Sequence, residues 1–139
     1  MESRYVDILV NIDVDDLDKA VQFYGASFGL RVGRRFNASA VEMLGGPVPI
    51  YLLLRDRDTP ASETTSQRRN YARHWTPVHL DFVVEDIGRA AETALGAGAR
   101  MEGEIATYPW GRLALLADPF GHGFCFVQFL GRGYDEVPD

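Results

Sequence analysis

Only one cysteine, Cys125, occurs in the 139 residues, so the chain cannot close an internal disulfide. A reducing, cytoplasmic setting fits that single thiol. No apolar run approaches the roughly 20 residues needed to cross a bilayer, which excludes a helical membrane anchor within this sequence. The opening Met1-Glu2-Ser3-Arg4 lacks the pattern of a signal peptide. Basic residues are in deficit: 14 Lys and Arg stand against 20 Asp and Glu, for a net charge of −6. That balance argues against nucleic acid and against anionic membrane surfaces as partners. It tilts weakly towards a cationic ligand, although solubility alone explains a charge of this size.

Against those absences stands an ordinary globular composition, 46% hydrophobic and 24% charged, in a length that suits one domain or two small halves. The most informative stretch is Val78-His79-Leu80-Asp81-Phe82-Val83-Val84-Glu85-Asp86. Leu80, Phe82 and Val84 alternate with His79, Asp81 and Val83, the signature of a strand with one apolar and one polar face. Asp86 then caps a helical pattern in which Ile87, Ala90, Ala91 and Ala94 share a side.

The same device occurs earlier. Val10, Ile12 and Val14 alternate with Leu9, Asn11 and Asp13, Asp16 caps, and Leu17, Ala20, Val21 and Tyr24 form a helical stripe that Gly29 stops. A shift of 70 positions lays Leu9 on His79, Asn11 on Asp81 and Asp16 on Asp86. One gap then pairs Gly29 with Gly98 and Arg31 with Arg100. Two copies of one supersecondary unit explain this most simply.

The first copy, residues 5–54, reads as strand Ile8 to Val14, helix Asp16 to Phe28, then strands Leu30 to Phe36, Ala40 to Leu44 and Val48 to Leu54. Arg31, Arg34 and Arg35 face solvent, and Gly45-Gly46-Pro47 marks a turn. Residues 55–76 form a long linker with a short helix near Thr65 to Tyr71; such loops often serve as lids or binding segments. The second copy, residues 77–130, repeats the order: strand His79 to Val84, helix Asp86 to Ala97, strands Arg100 to Thr107, Arg112 to Ala117 and Gly123 to Leu130. Tyr108-Pro109-Trp110-Gly111 and Asp118-Pro119-Phe120-Gly121 are turns, the second with type I preferences. Residues 131–139 read as a polar tail. The fold class is α+β, two βαβββ modules in a single domain spanning 1–139.

Two βαβββ copies, the Asp16-Leu17-Asp18-Lys19-Ala20-Val21-Gln22-Phe23-Tyr24 helix running to Phe28-Gly29-Leu30, and the Asp118-Pro119-Phe120-Gly121 turn before an apolar strand resemble the vicinal oxygen chelate superfamily. That group holds glyoxalase I, extradiol dioxygenases, methylmalonyl-CoA epimerase, and the fosfomycin and bleomycin resistance proteins. The resemblance covers roughly residues 5 to 130. It implies curved mixed sheets forming a cup, ligand inside the cup, and a homodimer.

Metal-dependent members place ligands on the first and last strand of each module. The matching positions here are Leu9, His79, Tyr51 and Cys125. Leu9 has no donor atom and Tyr51 is a poor ligand. His79 and Cys125 supply two donors where catalytic zinc normally takes three. The expectation is therefore no metal and no other cofactor. The alternative is a divalent ion at a non-standard site that recruits Asp81, Asn11 or Glu42.

If one strand face meets the helices, the other sends Asn11, Tyr51, His79, Asp81 and Cys125 towards a cavity, and these are the expected ligand-binding residues together with Trp110. His79 and Asp81 share a face at i and i+2 and are the candidate catalytic pair, with Asp81 orienting His79 as a base; a packed polar pair without chemistry is the bland alternative. Cys125 beside His79 suggests a thiolate–imidazole pair, but its apolar strand favours an inert thiol. His74 and His122 read as exposed. Trp75, Tyr108 and Trp110 read as an aromatic cluster at the cup mouth, suited to stacking on a planar or cationic ligand.

Two functions follow. One is a metal-free protein that binds or sequesters an antibiotic or an aromatic or cationic metabolite in a cup at a dimer interface. The other is a glyoxalase-like lyase or isomerase, or a dioxygenase-type enzyme, that uses a non-standard metal or His79 and Asp81.

Overall fold

A computed structural model describes residues 6–138; Met1 to Tyr5, which include the Met1–Arg4 segment, and Asp139 lie outside the described residues. The chain divides into two compact units. Among the described residues, the first holds 6–25 and 29–69 and the second 26–28 and 70–138.

In the first unit, β1 (Val10–Val14) leads through α1 (Leu17–Phe28) to β2 (Arg31–Phe36), β3 (Ala40–Leu44) and β4 (Ile50–Leu54). The sheet order is β1-β4-β3-β2, with β1 parallel to β4 and the other pairs antiparallel. Asp16 caps α1 by accepting from the Lys19 amide at 3.0 Å, which satisfies one of the helix's orphan donors. Gly29 ends it in the left-handed conformation (φ 66°), where a Cβ would be strained. Ala20, Phe23 and Tyr24 are buried on this helix, and Val14, Val41, Met43 and Leu52 are the most deeply buried strand residues.

The second unit runs β5 (Leu80–Val83), α2 (Ile87–Gly96), β6 (Arg100–Met101), β7 (Ala106–Tyr108), β8 (Gly111–Ala117) and β9 (Gly123–Phe129), and closes with a 3-10 turn, Gly133–Glu136. Its order is β5-β9-β8-β6, with β7 also paired to β8. Asp86 caps α2 as its sequence position requires, accepting from the Arg89 amide at 3.1 Å. The Ile87 amide, another orphan donor, is taken by Gln128 Oε1 of β9 at 2.9 Å. Ile87, Ala91 and Ala94 are the buried face of α2. Phe28, from the last turn of α1 and part of this unit, stacks on Phe82 with ring centroids 3.8 Å apart.

Four sequence expectations are corrected. Both leading strands start later than the alternation suggests, because their partners β4 and β9 offer pairing only from Ile50 and Phe124 onwards; Leu9 and His79 thus precede their strands. Residues Thr65 to Tyr71 form no helix. The linker instead doubles back, with a bridge between Pro60 and Arg68, and Arg69 Nε reaches Asp13 at 2.8 Å. The expected strand Arg100 to Thr107 is broken into β6 and β7: the Glu102 amide still bonds to the Leu115 carbonyl of β8 at 2.8 Å, but the chain leaves that edge at Gly103 (φ 111°) and returns at Ala106. The tail is not simply polar: Tyr134 packs edge-on against Phe129 at 4.8 Å and lies 5.2 Å from Trp110. Among the described residues, no helix is long and apolar enough to cross a membrane.

Candidate functional site

In the second unit, parallel pairing sets Asp81 of β5 opposite Cys125 of β9, and antiparallel pairing sets Cys125 opposite Leu115 of β8. One face of the sheet therefore reads Asp81, Cys125, Leu115, with His79 two residues before Asp81 on the same side. His79 Nε2 lies 3.1 Å from Asp81 Oδ1, and both side chains are about half exposed (50% and 40%). Cys125 is buried between them and Leu115. Burial pushes its thiol up to about 11, helped by the charge of Asp81 and a hydrogen bond to it. At neutral pH it is a thiol, so the structure sides with the inert reading over a free thiolate.

Above this face lies a cavity of about 150 Å³. His79, Cys125, Leu115 and Phe124 form part of its wall, and Arg73, Trp75 and Glu102 stand around it. Arg73 and Glu102 meet fork to fork, Nε to Oε2 at 2.6 Å and Nη2 to Oε1 at 2.9 Å. That contact holds the Glu102 carboxyl below its ordinary value and raises the Arg73 guanidinium.

Two glycines make room for this segment. A Cβ on Gly123 would fall 2.5 Å from Arg73 Nη2, and one on Gly121 (φ 84°) would fall 2.1 Å from the Ala72 carbonyl oxygen. The Asp118–Gly121 turn closes as its sequence predicts. Its carbonyl accepts from Gly121 at 3.3 Å, and Asp118 Oδ1 accepts from the Phe120 and His122 amides at 2.8 and 2.9 Å. His74 and His122, expected to be exposed, are half-buried and joined, Nε2 to Nδ1 at 3.0 Å. A proton on His74 Nδ1 donates to the Ala72 carbonyl at 2.9 Å, which leaves His74 Nε2 to accept from His122.

The first unit places the matching positions in the matching register, Asn11 opposite Tyr51 and Tyr51 opposite Glu42. Here the polar groups serve one another. The Tyr51 hydroxyl donates to Glu42 Oε2 at 2.9 Å, and the Arg34 amide donates to Oε1 at 3.0 Å. The register shift between Val32 and Arg35 aims that amide, and Gly33 leaves the space: its Cβ would sit 2.6 Å from Glu42 Oε1. Glu42 is only 5% exposed, and its carboxyl is held below the ordinary value, chiefly by the Arg34 amide and then by Tyr51. Tyr51 is raised by the same bond.

The donor set implied by metal-dependent relatives does not fit this chain. Leu9 offers no donor, and the Tyr51 hydroxyl is committed to Glu42.

The candidate residues thus fall into three groups. Tyr51 belongs to the first unit's network, and Asn11, exposed, is its register partner on β1. His79 and Cys125 line the second unit's cavity, and Asp81 stands beside them. Trp110 sits at the far end of β8, stacked on Tyr108 (5.3 Å, 2°) and beside Tyr134, so of the three aromatics read as one cluster Trp75 alone lines the cavity. Sequence reasoning passed over Arg73 and Glu102 as site residues. They are 29 positions apart, and no local pattern links a loop arginine to a residue leaving a strand edge.

A family model described as "Glyoxalase-like domain" matches residues 9–127. Among curated proteins, the "Anthracycline biosynthesis protein DauV" of Streptomyces sp. (strain C5) is 30% identical over 135 residues; the match takes in 94% of this chain and 43% of that protein, so the chain spans less than half of its relative. Among solved structures, a glyoxalase/bleomycin resistance protein/dioxygenase family enzyme from Burkholderia phytofirmans PsJN superposes with a TM-score of 0.70 at 20% identity, covering 88% of this chain and 97% of that one. A glyoxalase-related enzyme from Fulvimarina pelagi gives 0.68 at 18% identity, over 91% and 88%. These likenesses establish the α+β fold of the glyoxalase and bleomycin resistance group.

Proposed function

The chain belongs to the glyoxalase-like domain family, and from that premise we propose that it binds a small aromatic molecule in the cavity of its second unit without the four-position metal of its enzymatic relatives. The observation that carries this reading is the cavity itself. Apolar Leu115 and Phe124, the exposed ring of Trp75 and the paired charges of Arg73 and Glu102 converge on one opening. Apolar walls with a few placed polar groups are the usual make-up of a ligand site. A volume near 150 Å³ takes a single ring or one end of a larger molecule. The relative named for anthracycline biosynthesis makes an aromatic polycycle of that class the first ligand to try.

Titration of the purified protein with an anthracycline, followed by tryptophan fluorescence, tests the reading. Saturable micromolar binding with the ligand recovered unchanged supports it; absence of binding to anthracyclines and to a panel of aromatic antibiotics sinks it. A second reading, acid–base catalysis on the bound molecule, is favoured by the 3.1 Å contact between His79 Nε2 and Asp81. Product formation that His79→Ala abolishes, in a variant that still binds, would select it.

The working form in this reading is a cytoplasmic homodimer. The exposed apolar side chains of Ile8, Leu9 and Val83 support self-association, and the lone thiol of Cys125 suits a reducing compartment. Sedimentation at micromolar concentration checks it.

A further inference from the structure

We infer that His79, Asp81 and Cys125 form a site for a thiophilic divalent ion, of which zinc is the model, held entirely within the second unit. The three side chains converge by strand register. Asp81 and Cys125 are direct partners on neighbouring parallel strands, and His79 shares their face. One ligand atom from each lies within 4.8 Å of the other two, and the closest pair, His79 Nε2 and Asp81 Oδ1, is 3.1 Å apart. An ion about 2.0–2.3 Å from each donor requires donors roughly 3–4 Å from one another, so small side-chain adjustments complete the site.

The donor chemistry selects the ion. One imidazole nitrogen, one carboxylate oxygen and one sulfur make a mixed set that suits zinc and its softer neighbours. Magnesium and calcium, which want oxygen ligands alone, are excluded. A carboxylate and a thiolate bring two negative charges against the ion's two positive ones. The nearby Arg73 charge is neutralised by Glu102, so it does not repel a cation. Three protein ligands leave a fourth position, as in zinc sites that meet small molecules rather than sites that only brace a fold. His79 and Cys125 both line the cavity, so that position is accessible to water or to a donor atom of a bound molecule.

This site shares His79 and Cys125 with the arrangement implied by metal-dependent relatives but neither of its other two positions. It uses Asp81, needs nothing from the first unit, and stands on observations independent of anthracycline binding.

The test uses full-length, tag-free, metal-stripped protein and the metal alone. Equilibrium dialysis with Zn²⁺ is expected to give one equivalent bound. Co²⁺ is expected to give a near-ultraviolet sulfur-to-metal charge-transfer band. Cys125→Ser should abolish the band, and Cys125→Ser and Asp81→Asn should each weaken Zn²⁺ binding by at least about tenfold. Circular dichroism checks that both variants fold, and Asp81→Asn, at an exposed position, carries the test if Cys125→Ser does not. Failure to bind zinc or cobalt overturns the proposal, as does binding that both variants leave unchanged. Neither result bears on the aromatic-ligand reading, which is tested on metal-free protein.

Discussion

The two units carry the same strand frame and use it for opposite ends. In the first, the face that begins with Asn11 continues through Tyr51 to Glu42, and the protein's own donors occupy that carboxylate: an amide presented by a bulge and a tyrosine hydroxyl. In the second, the face that begins with Asp81 continues through Cys125 to Leu115, and a cavity opens above it. A carboxylate on the third strand of the first sheet is closed in; a carboxylate on the edge strand of the second stays about 40% exposed. The lesson is that repeated backbone pairing sets where side chains stand, while one or two identities decide whether a position becomes internal bracing or a site.

The comparison predicts equality in the cores. Leu52 of β4 and Phe126 of β9 occupy matching register positions and are fully buried. Phe126→Ala should cost about 3–5 kcal/mol and Leu52→Ala about 2–5 kcal/mol, read as losses in chemical denaturation. A cost near zero at either position would mean that its unit is not packed as described.

Next in size is the support of the site. Gly121→Ala adds a Cβ 2.1 Å from the Ala72 carbonyl oxygen at a φ of 84°. It should lower stability by about 2–4 kcal/mol and loosen residues 71–74, seen as faster amide exchange there. No matching sensitivity is expected at Gly29, where a Cβ meets nothing within 4 Å and only the conformational strain of φ 66° remains. Gly29→Ala should cost roughly 1 kcal/mol.

Acid separates the two carboxylates more gently. Glu42 and Glu102 both have folded values below the ordinary 4.5. A lowered carboxyl stabilises fully above its unfolded value and loses that contribution as pH falls through its folded value. The melting temperature should therefore fall as pH drops below 4.5. Glu42→Gln should flatten that dependence more than Glu102→Gln, because Glu42 is enclosed, whereas the Arg73–Glu102 pair is about one third exposed. The smallest effect is kinetic. With Cys125 raised to about 11, alkylation of metal-free protein should be slow at pH 8 and still be accelerating above pH 9. A plateau by pH 9 would contradict that environment.

Much of this frame was legible in the chain. Asp16, Gly29 and Asp86 announce helix ends through local chemistry, and all three perform as their residue types require. The alternation around Asp81 and the shift of 70 positions anticipate the shared register of the two units. The resemblance to the vicinal oxygen chelate group agrees with the family match. What was not legible depends on distant partners. The strand starts at Val10 and Leu80 are set by β4 and β9. Arg73 meets Glu102 across 29 positions, and His74 meets His122 across 48. Glu42 looks like a spare ligand in sequence and becomes a closed network only when β2 bulges at Gly33. The linker at 55–76 has no clear period, so the helix expected near Thr65 to Tyr71 had little behind it; the shape comes from Arg69 bonding to Asp13 and from doubled-back pairing.

The most direct test of the central claim is one binding titration run on three proteins. Wild type, Trp75→Ala and Tyr51→Phe are each titrated with the same anthracycline in metal-free buffer. The account predicts micromolar affinity for wild type, a loss of about tenfold or more in Trp75→Ala, where stacking area is removed, and no change in Tyr51→Phe. Affinity that survives Trp75→Ala but falls in Tyr51→Phe would move the site out of the second unit's cavity and contradict the division of roles between the two faces.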